Sequence, residues 1–252
     1  MTPAARLSAA IEILDRILAG AVAEQALTNW GRANRFAGSG DRHALRDLVY
    51  DALRCKRSYA ALGGGLTGRG LILGGLRDRG VDPAGLFTGV GHAPAPVAVE
   101  EAARVPVGAE ALDCPDWLLP RLQASLGADC DAVLQAMRHR APVFLRVNMA
   151  KVGVAGALAA LAEEGIVCQL NSAANTALEV TENARKVQTS RAYADGLVEL
   201  QDAASQAVVQ ALPLRDGMTV LDYCSGGGGK ALAMAARARL TLLAHDAEAR
   251  RM

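Results

Sequence analysis

The stretch with the clearest chemistry runs Met218-Thr219-Val220-Leu221-Asp222-Tyr223-Cys224-Ser225-Gly226-Gly227-Gly228-Gly229-Lys230-Ala231. An apolar run ends in an acid, four glycines follow, and then an Ala-rich stretch of helical character continues to about Arg239. A second apolar run, Leu240 to His245, ends at Asp246. The pattern is strand, glycine loop, helix, strand, acid. Glycines let the backbone come close to a ligand and aim N–H groups at it. An acid after the second strand can accept both hydroxyls of a ribose. Asp246 lies 18 residues beyond Gly228, the spacing an adenosine-type ligand needs.

Three ligand readings compete for this loop. A phosphate-binding Walker loop requires Gly-x-x-x-x-Gly-Lys-[Ser/Thr], but Cys224 stands at the first glycine and Ala231 at the metal-holding hydroxyl. A dinucleotide loop is loosely met by Gly226, Gly228 and Ala231. An S-adenosylmethionine loop expects an acid at the strand end, and Asp222 supplies it. The plain alternative is a tight turn that packs a helix on a sheet. For single residues, Asp222 could hold a ligand amino group or cap loop N–H groups. Asp246 could bind ribose or cap a helix. His245 reads as a strand-end residue. His43, His92 and His139 have no partner at ligand spacing, so no metal is expected. Cys55, Cys114, Cys130 and Cys168 read as packing residues. With Cys224 they make five, without a CxxC pair, which argues against both a zinc site and a disulfide framework.

The rest of the chain must position this unit. At 252 residues, 51% hydrophobic and 21% charged, it can bury a core, which excludes a disordered chain. Twenty-six Gly against nine Pro, with no triplet period, exclude a collagen-like chain. Few aromatics and much Ala and Leu favour helices and α/β layers. Leu7, Ile11, Leu14, Ile17, Leu18 and Val22 predict a first helix. A second starts near Asp41, with Leu45, Leu48, Val49, Ala52 and Leu53 as its stripe, and ends by Gly63-Gly64-Gly65. Pro-rich, acidic residues 82–116 read as a connector. Residues 116–140 return to helix through Trp117, Leu118, Leu122, Leu126, Val133, Leu134 and Met137, interrupted at Gly127. Val143–Val147, Ile166–Leu170 and Leu178–Val180 predict short strands around a helix over 152–161, closed by Gly165. Asp202 opens a further helix with Val208, Val209 and Leu212 as its stripe.

Net charge is only +1, yet residues 31–79 carry ten Lys/Arg against four acids. Such a patch suits a polyanion, with Arg42, Arg46, Arg54, Lys56 and Arg57 as the candidate RNA-binding residues. A solvated helix face is the alternative. Arg146 and Asn148 could reach RNA or the sheet edge. No signal peptide and no bilayer-length apolar stretch are read, so a reducing cytoplasm is expected.

Several segments together resemble the Sun/RsmB-type ribosomal RNA (cytosine-5) methyltransferases. Val220 to Lys230 looks like that family's Val-Leu-Asp-x-Cys-Ala-Ala-Pro-Gly-Gly-Lys loop, although Ser225-Gly226-Gly227 departs from Ala-Ala-Pro. Gly196-Leu197-Val198-Glu199-Leu200-Gln201-Asp202-Ala203-Ala204-Ser205-Gln206 looks like its G-x-x-x-x-Q-D-x-x-S-Q segment. Phe144-Leu145-Arg146-Val147-Asn148 is similar to its [WF]-L-R-V-N strand, and Asp41 to Arg54 to the second part of a NusB-like helical domain. The matches run in order over nearly the whole chain.

The resemblance implies the architecture: α plus α/β, with a NusB-like helical RNA-binding domain over 1–88 and a helical connector over 89–141. A small α/β subdomain over 142–200 and the start of a Rossmann-like domain over 201–252 follow. It implies S-adenosyl-L-methionine as cofactor, held by Asp222, Cys224, Ser225, Gly226, Gly227, Gly228, Gly229, Lys230 and Asp246. Lys230 would neutralise the cofactor carboxylate. It also implies methylation at C5 of a ribosomal RNA cytosine by a cytoplasmic monomer, without membrane or metal. In that family the nucleophilic cysteine lies on a loop well after the second strand, so Cys224 is assigned to the cofactor loop. No residue of this chain is assigned a catalytic role. Two strands and one helix cannot complete a doubly wound sheet. The chain is therefore expected to be an N-terminal portion, inactive alone, with 247–252 the first turn of an unfinished helix. A non-catalytic NusB-like RNA-binding protein and a nicotinamide-dependent oxidoreductase remain alternatives.

Overall fold

A computed structural model describes residues 1–248 and Arg250. The turn expected at 247–252 falls partly on 249, 251 and 252, outside the described residues. The fold mixes helices and sheet, and the chain divides into two compact units, Met1–Arg140 and Ala141–Met252.

The first unit is helical. α1 (Pro3–Leu18) opens with Pro3 in its first turn and Thr2 as cap, whose hydroxyl accepts the Ala5 N–H at 3.2 Å. It buries Leu7, Ala10, Ile13 and Leu14. Val22 is not on its stripe, because Gly20 at φ 105° turns the chain; Val22 instead precedes α2 (Ala23–Ala33) and is exposed. α3 (Ser39–Arg54) begins just before Asp41. That carboxylate accepts from the Gly38 N–H at 3.2 Å, from Arg6 at 2.9 Å and from the N-terminal ammonium at 3.2 Å. α4 (Lys56–Gly63) and α5 (Gly68–Asp78) form a hairpin through Gly64, at φ 84°. The two helices touch backbone to backbone: a Cβ on Gly63 would sit 1.7 Å from the Gly70 carbonyl oxygen, and one on Gly74 2.0 Å from that of Tyr59. One core joins these elements, with Trp30, Leu45, Val49, Tyr59, Leu71 and Leu73 at its centre.

Beyond α5 the unit continues to Arg140 through irregular chain. Arg69 pins it, pairing with Glu101 at 2.5 Å and lying 4.8 Å over the Phe87 ring. Asp113, at φ 51°, accepts the Arg57 and Ser58 N–H groups at 2.8 and 2.9 Å, the Ser58 hydroxyl at 2.7 Å and Arg138 Nε at 2.9 Å. The helix expected over 116–140 is two short ones, α6 (Leu119–Leu126) and α7 (Cys130–Met137), broken at Gly127. Trp117, Val133 and Met137 are exposed rather than packed; Pro115 and Pro120 delay the helix start, so Leu122, Leu126 and Leu134 face the small core of Cys114 and Cys130.

In the second unit, β1 (Val143–Val147), α8 (Val154–Glu163), β2 (Val167–Leu170), β3 (Ala177–Glu182), α9 (Arg191–Ala194) and β4 (Val198–Leu200) follow a β-α-β-β-α-β order. The sheet is antiparallel, in the order β2-β3-β1-β4. Leu145, Val147, Leu178, Val180 and Val198 face α8 and a core with Leu161 and Ile166. The opposite face carries Phe144 and Ala177 beneath α10 (Ala203–Gln210), which Asp202 caps by accepting the Ala204 N–H at 2.8 Å. α10 presents Ala203, Gln206 and Val209 inward; Val208 is exposed, correcting the expected stripe. Finally β5 (Thr219–Asp222), α11 (Gly229–Ala235) and β6 (Thr241–Ala244) form a two-stranded parallel unit. α11 is shorter than the helix expected to reach Arg239.

Candidate functional site: the glycine loop and the basic helices

Parallel pairing of β5 with β6 brings both strand ends to one edge, and with them Asp222 and Asp246. The His245 N–H donates to the Asp222 carbonyl at 2.9 Å, and the Ser225 N–H returns to the His245 carbonyl at 2.9 Å. Gly226 and Gly228 have positive φ, 51° and 79°, so the loop curls as side-chain-bearing residues resist doing. The Gly226 N–H donates to Asp246 Oδ2 at 2.9 Å, and the Glu248 N–H to Oδ1 at 2.9 Å. Asp246 thus ties the glycine loop to the end of β6.

Asp222 behaves differently. Its Oδ2 is buried and has no hydrogen-bond partner. A buried, unsatisfied carboxylate oxygen is costly and calls for a donor. A Cβ placed on Gly226, Gly227 or Gly228 would meet nothing within 4 Å, so the loop borders open space. Cys224 and Lys230 are exposed, Lys230 in the first turn of α11.

Sequence reasoning passed over two features at this edge. Tyr223 and His245 stack, ring centroids 4.7 Å apart, and His245 Nδ1 donates to the Tyr223 carbonyl at 2.9 Å. Gln201, quoted only as part of a motif, has a buried Oε1 without a partner, while its Nε2 would lie 3.6 Å from a Cβ on Gly229. Neither has a signal of its own in the sequence, since both depend on which strand ends meet. Asn148 is spent locally: its amide donates to the Gly196 carbonyl at 3.1 Å. Among the described residues, no group of three His, Cys, Asp or Glu is placed to hold a metal ion, and no helix is long and apolar enough to cross a membrane.

The basic candidates lie in the helical unit. Arg46 grips the Glu24 carboxylate with both terminal nitrogens, at 2.5 and 3.0 Å, holding that carboxyl below its ordinary range. Arg54 pairs with Asp51 at 2.7 Å and Arg57 with Asp116 at 2.8 Å. Arg42 Nε donates to the Ala37 carbonyl at 3.1 Å, and Lys56 is exposed. The positive excess of 31–79 is therefore partly offset by acids from outside that window. Arg42 and Arg46 also line a pocket of about 360 Å³ with Arg32, His43 and Trp30.

Comparison with known proteins fits this architecture. Residues 114–188 match the family described as the RsmF/B-like methyltransferase, ferredoxin-like domain. Over 148 residues the chain is 35% identical to a ribosomal RNA small subunit methyltransferase B of Xanthomonas campestris, covering 58% of this chain and 34% of that protein. The protein of that name from Citrobacter koseri is 34% identical over 116 residues, covering 46% of this chain and 27% of its own length. The matched stretch thus spans about a third of the curated relatives. A crystal structure of PH0851 covers all of this chain and 65% of its own, with TM-score 0.68 at 18% identity. A methyltransferase homolog protein from Pyrococcus horikoshii covers 56% of this chain and 47% of its own, with TM-score 0.51 at 23% identity. These two share the fold. The class the segment 114–188 defines is an RsmF/B-like, ferredoxin-like domain. The chain carrying it is similar, over about a third of their length, to proteins named ribosomal RNA small subunit methyltransferase B.

Proposed function

We propose that this chain provides the cofactor-binding loop and RNA-holding parts of an S-adenosyl-L-methionine-dependent methyltransferase that acts on C5 of a cytosine in ribosomal RNA. The observation that carries the reading is the buried, unpartnered Oδ2 of Asp222 beside an open glycine loop whose far end is held by Asp246. An amino group is the donor such an oxygen requires. Asp246 accepts ribose hydroxyls, and Lys230 neutralises a carboxylate. The residues fit the cofactor, which when bound supplies an electrophilic methyl group on sulfonium. The unit at β5–β6 is read as the start of a Rossmann-like domain. The helices over 1–88 are read as NusB-like, with Lys56 and Arg42 the cations best placed to meet RNA. The setting is cytoplasmic, the state monomeric and no metal takes part. Support comes from the names of the relatives and from the order of the shared segments.

Calorimetric titration of the chain with S-adenosylhomocysteine tests this, with NADH in parallel. We expect binding of the former alone. Asp222→Asn removes a charge-assisted hydrogen bond worth about 1.5–3 kcal/mol, so affinity should fall by about tenfold or more. Asp246→Ala should weaken binding similarly. NADH binding without S-adenosylhomocysteine binding would replace this reading by the oxidoreductase one.

A further inference from the structure

A cleft of about 270 Å³ lies between the sheet face beneath α10 and helices α10 and α11, away from the glycine loop. Arg146 forms part of its wall and is 3% exposed. One terminal nitrogen donates to Glu199 at 2.5 Å, its cross-strand neighbour, but Nε is buried with no partner. A guanidinium donor stranded in this way needs an acceptor. Gln206 does not provide one: its Oε1 accepts the Thr176 hydroxyl, and its Nε2 donates to the Leu145 and Gln201 carbonyls. Gln210 Oε1 accepts the Asn175 N–H at 2.9 Å, which leaves the amide N–H groups of Gln210 for the cleft. Arg237, on the opposite wall, is held by the Val209 and Leu212 carbonyls through one terminal nitrogen. No carboxylate is among the lining residues.

Glu199 meets one terminal nitrogen of Arg146, but the unpartnered Arg146 Nε, the Arg237 guanidinium and the amide donors, with no carboxylate among the lining residues, favour an anion. We propose that this cleft binds a phosphate group, and that in the RNA methyltransferase reading above, on which the choice of source rests, the phosphate belongs to the backbone of single-stranded RNA. The cleft would then act as a second foothold for the strand, separate from the basic helices and from the cofactor loop.

The test uses the whole chain and the variant Gln210→Glu. Glutamate keeps an oxygen for the Asn175 N–H but places a negative charge in the cleft. Inorganic phosphate should shift the Gln210 side-chain amide and Arg237 Nε resonances in the unaltered protein, and should leave Arg237 unmoved in the variant. Fluorescence anisotropy with a short unstructured RNA should show about tenfold weaker binding by the variant and a salt slope smaller by about one. S-adenosylhomocysteine affinity should be the same in both proteins. Resonances that ignore phosphate would overturn the site. A phosphate response with RNA affinity equal in the two proteins would overturn the RNA assignment and leave a free-anion site. Loss of S-adenosylhomocysteine binding in the unaltered protein, with the phosphate response intact, would sink the cofactor reading and uphold the cleft. Arg146→Lys, which keeps the charge but not Nε, should reduce the phosphate response several-fold.

Discussion

Asp113 and Asp222 illustrate two fates of a carboxylate with a buried oxygen. Asp113 accepts two backbone N–H groups, a hydroxyl and a guanidinium, and so holds the start of α4 to the chain before α6. Asp113→Ala would strand those donors and should cost about 3 kcal/mol in urea unfolding. Asp222 has an oxygen with no such partner, and its replacement should therefore spare stability and spend its effect on ligand affinity. Glu101 gives a pH signature. Hydrogen bonding from Arg69 and then the Ala98 N–H hold its carboxyl below the ordinary range. A depressed acid contributes stability above its unfolded pKa and loses it as pH falls through the folded one. The melting temperature should drop between about pH 5 and pH 3, and Arg69→Gln should shrink that drop while lowering stability at neutral pH.

Among the elements, the α4–α5 hairpin shows what glycine does by being small. Gly74→Ala would drive a methyl into the Tyr59 backbone and should destabilise by about 3 kcal/mol or more. Gly65→Ala, where a Cβ meets nothing within 4 Å, should change stability by no more than about 0.5 kcal/mol. The same glycines explain why α5 was not read from sequence: Gly68, Gly70, Gly74 and Gly75 look like turn residues until a partner backbone is known to lie against them. α2 was likewise missed, its 11 residues carrying Gly31 and few apolar positions. By contrast β1, α8, β3 and the loop between β5 and α11 were legible, because period and punctuation agree there. Other departures came at ends: Val22 falls past a left-handed glycine, and Trp117 precedes a proline-delayed helix. Pairing of the β5 and β6 ends, and the approach of Gln201 to Gly229, are long-range matters that no local pattern carries.

The molecule as a whole has two units, each with its own apolar core. Such a chain should not melt as one cooperative step. Differential scanning calorimetry should give a calorimetric enthalpy larger than the van't Hoff value, and the fragment 1–140 should retain its helical circular-dichroism signal. A single transition with equal enthalpies would refute this. In the second unit, Leu221 and Leu243 on the parallel strands are 57% and 53% exposed, unlike the covered strands that parallel pairing normally implies. Changing both to Thr should lower dye binding by exposed apolar surface without loss of secondary structure.

The five thiols differ sharply in reach: Cys55, Cys114 and Cys130 are buried, Cys168 is half-buried with burial pushing its thiol up, and Cys224 stands exposed at the glycine loop. A gentle alkylating label should therefore mark one position without mutagenesis. A fluorophore there would sit at the glycine loop, and its emission would follow occupancy of the loop in real time, turning the protein into its own sensor.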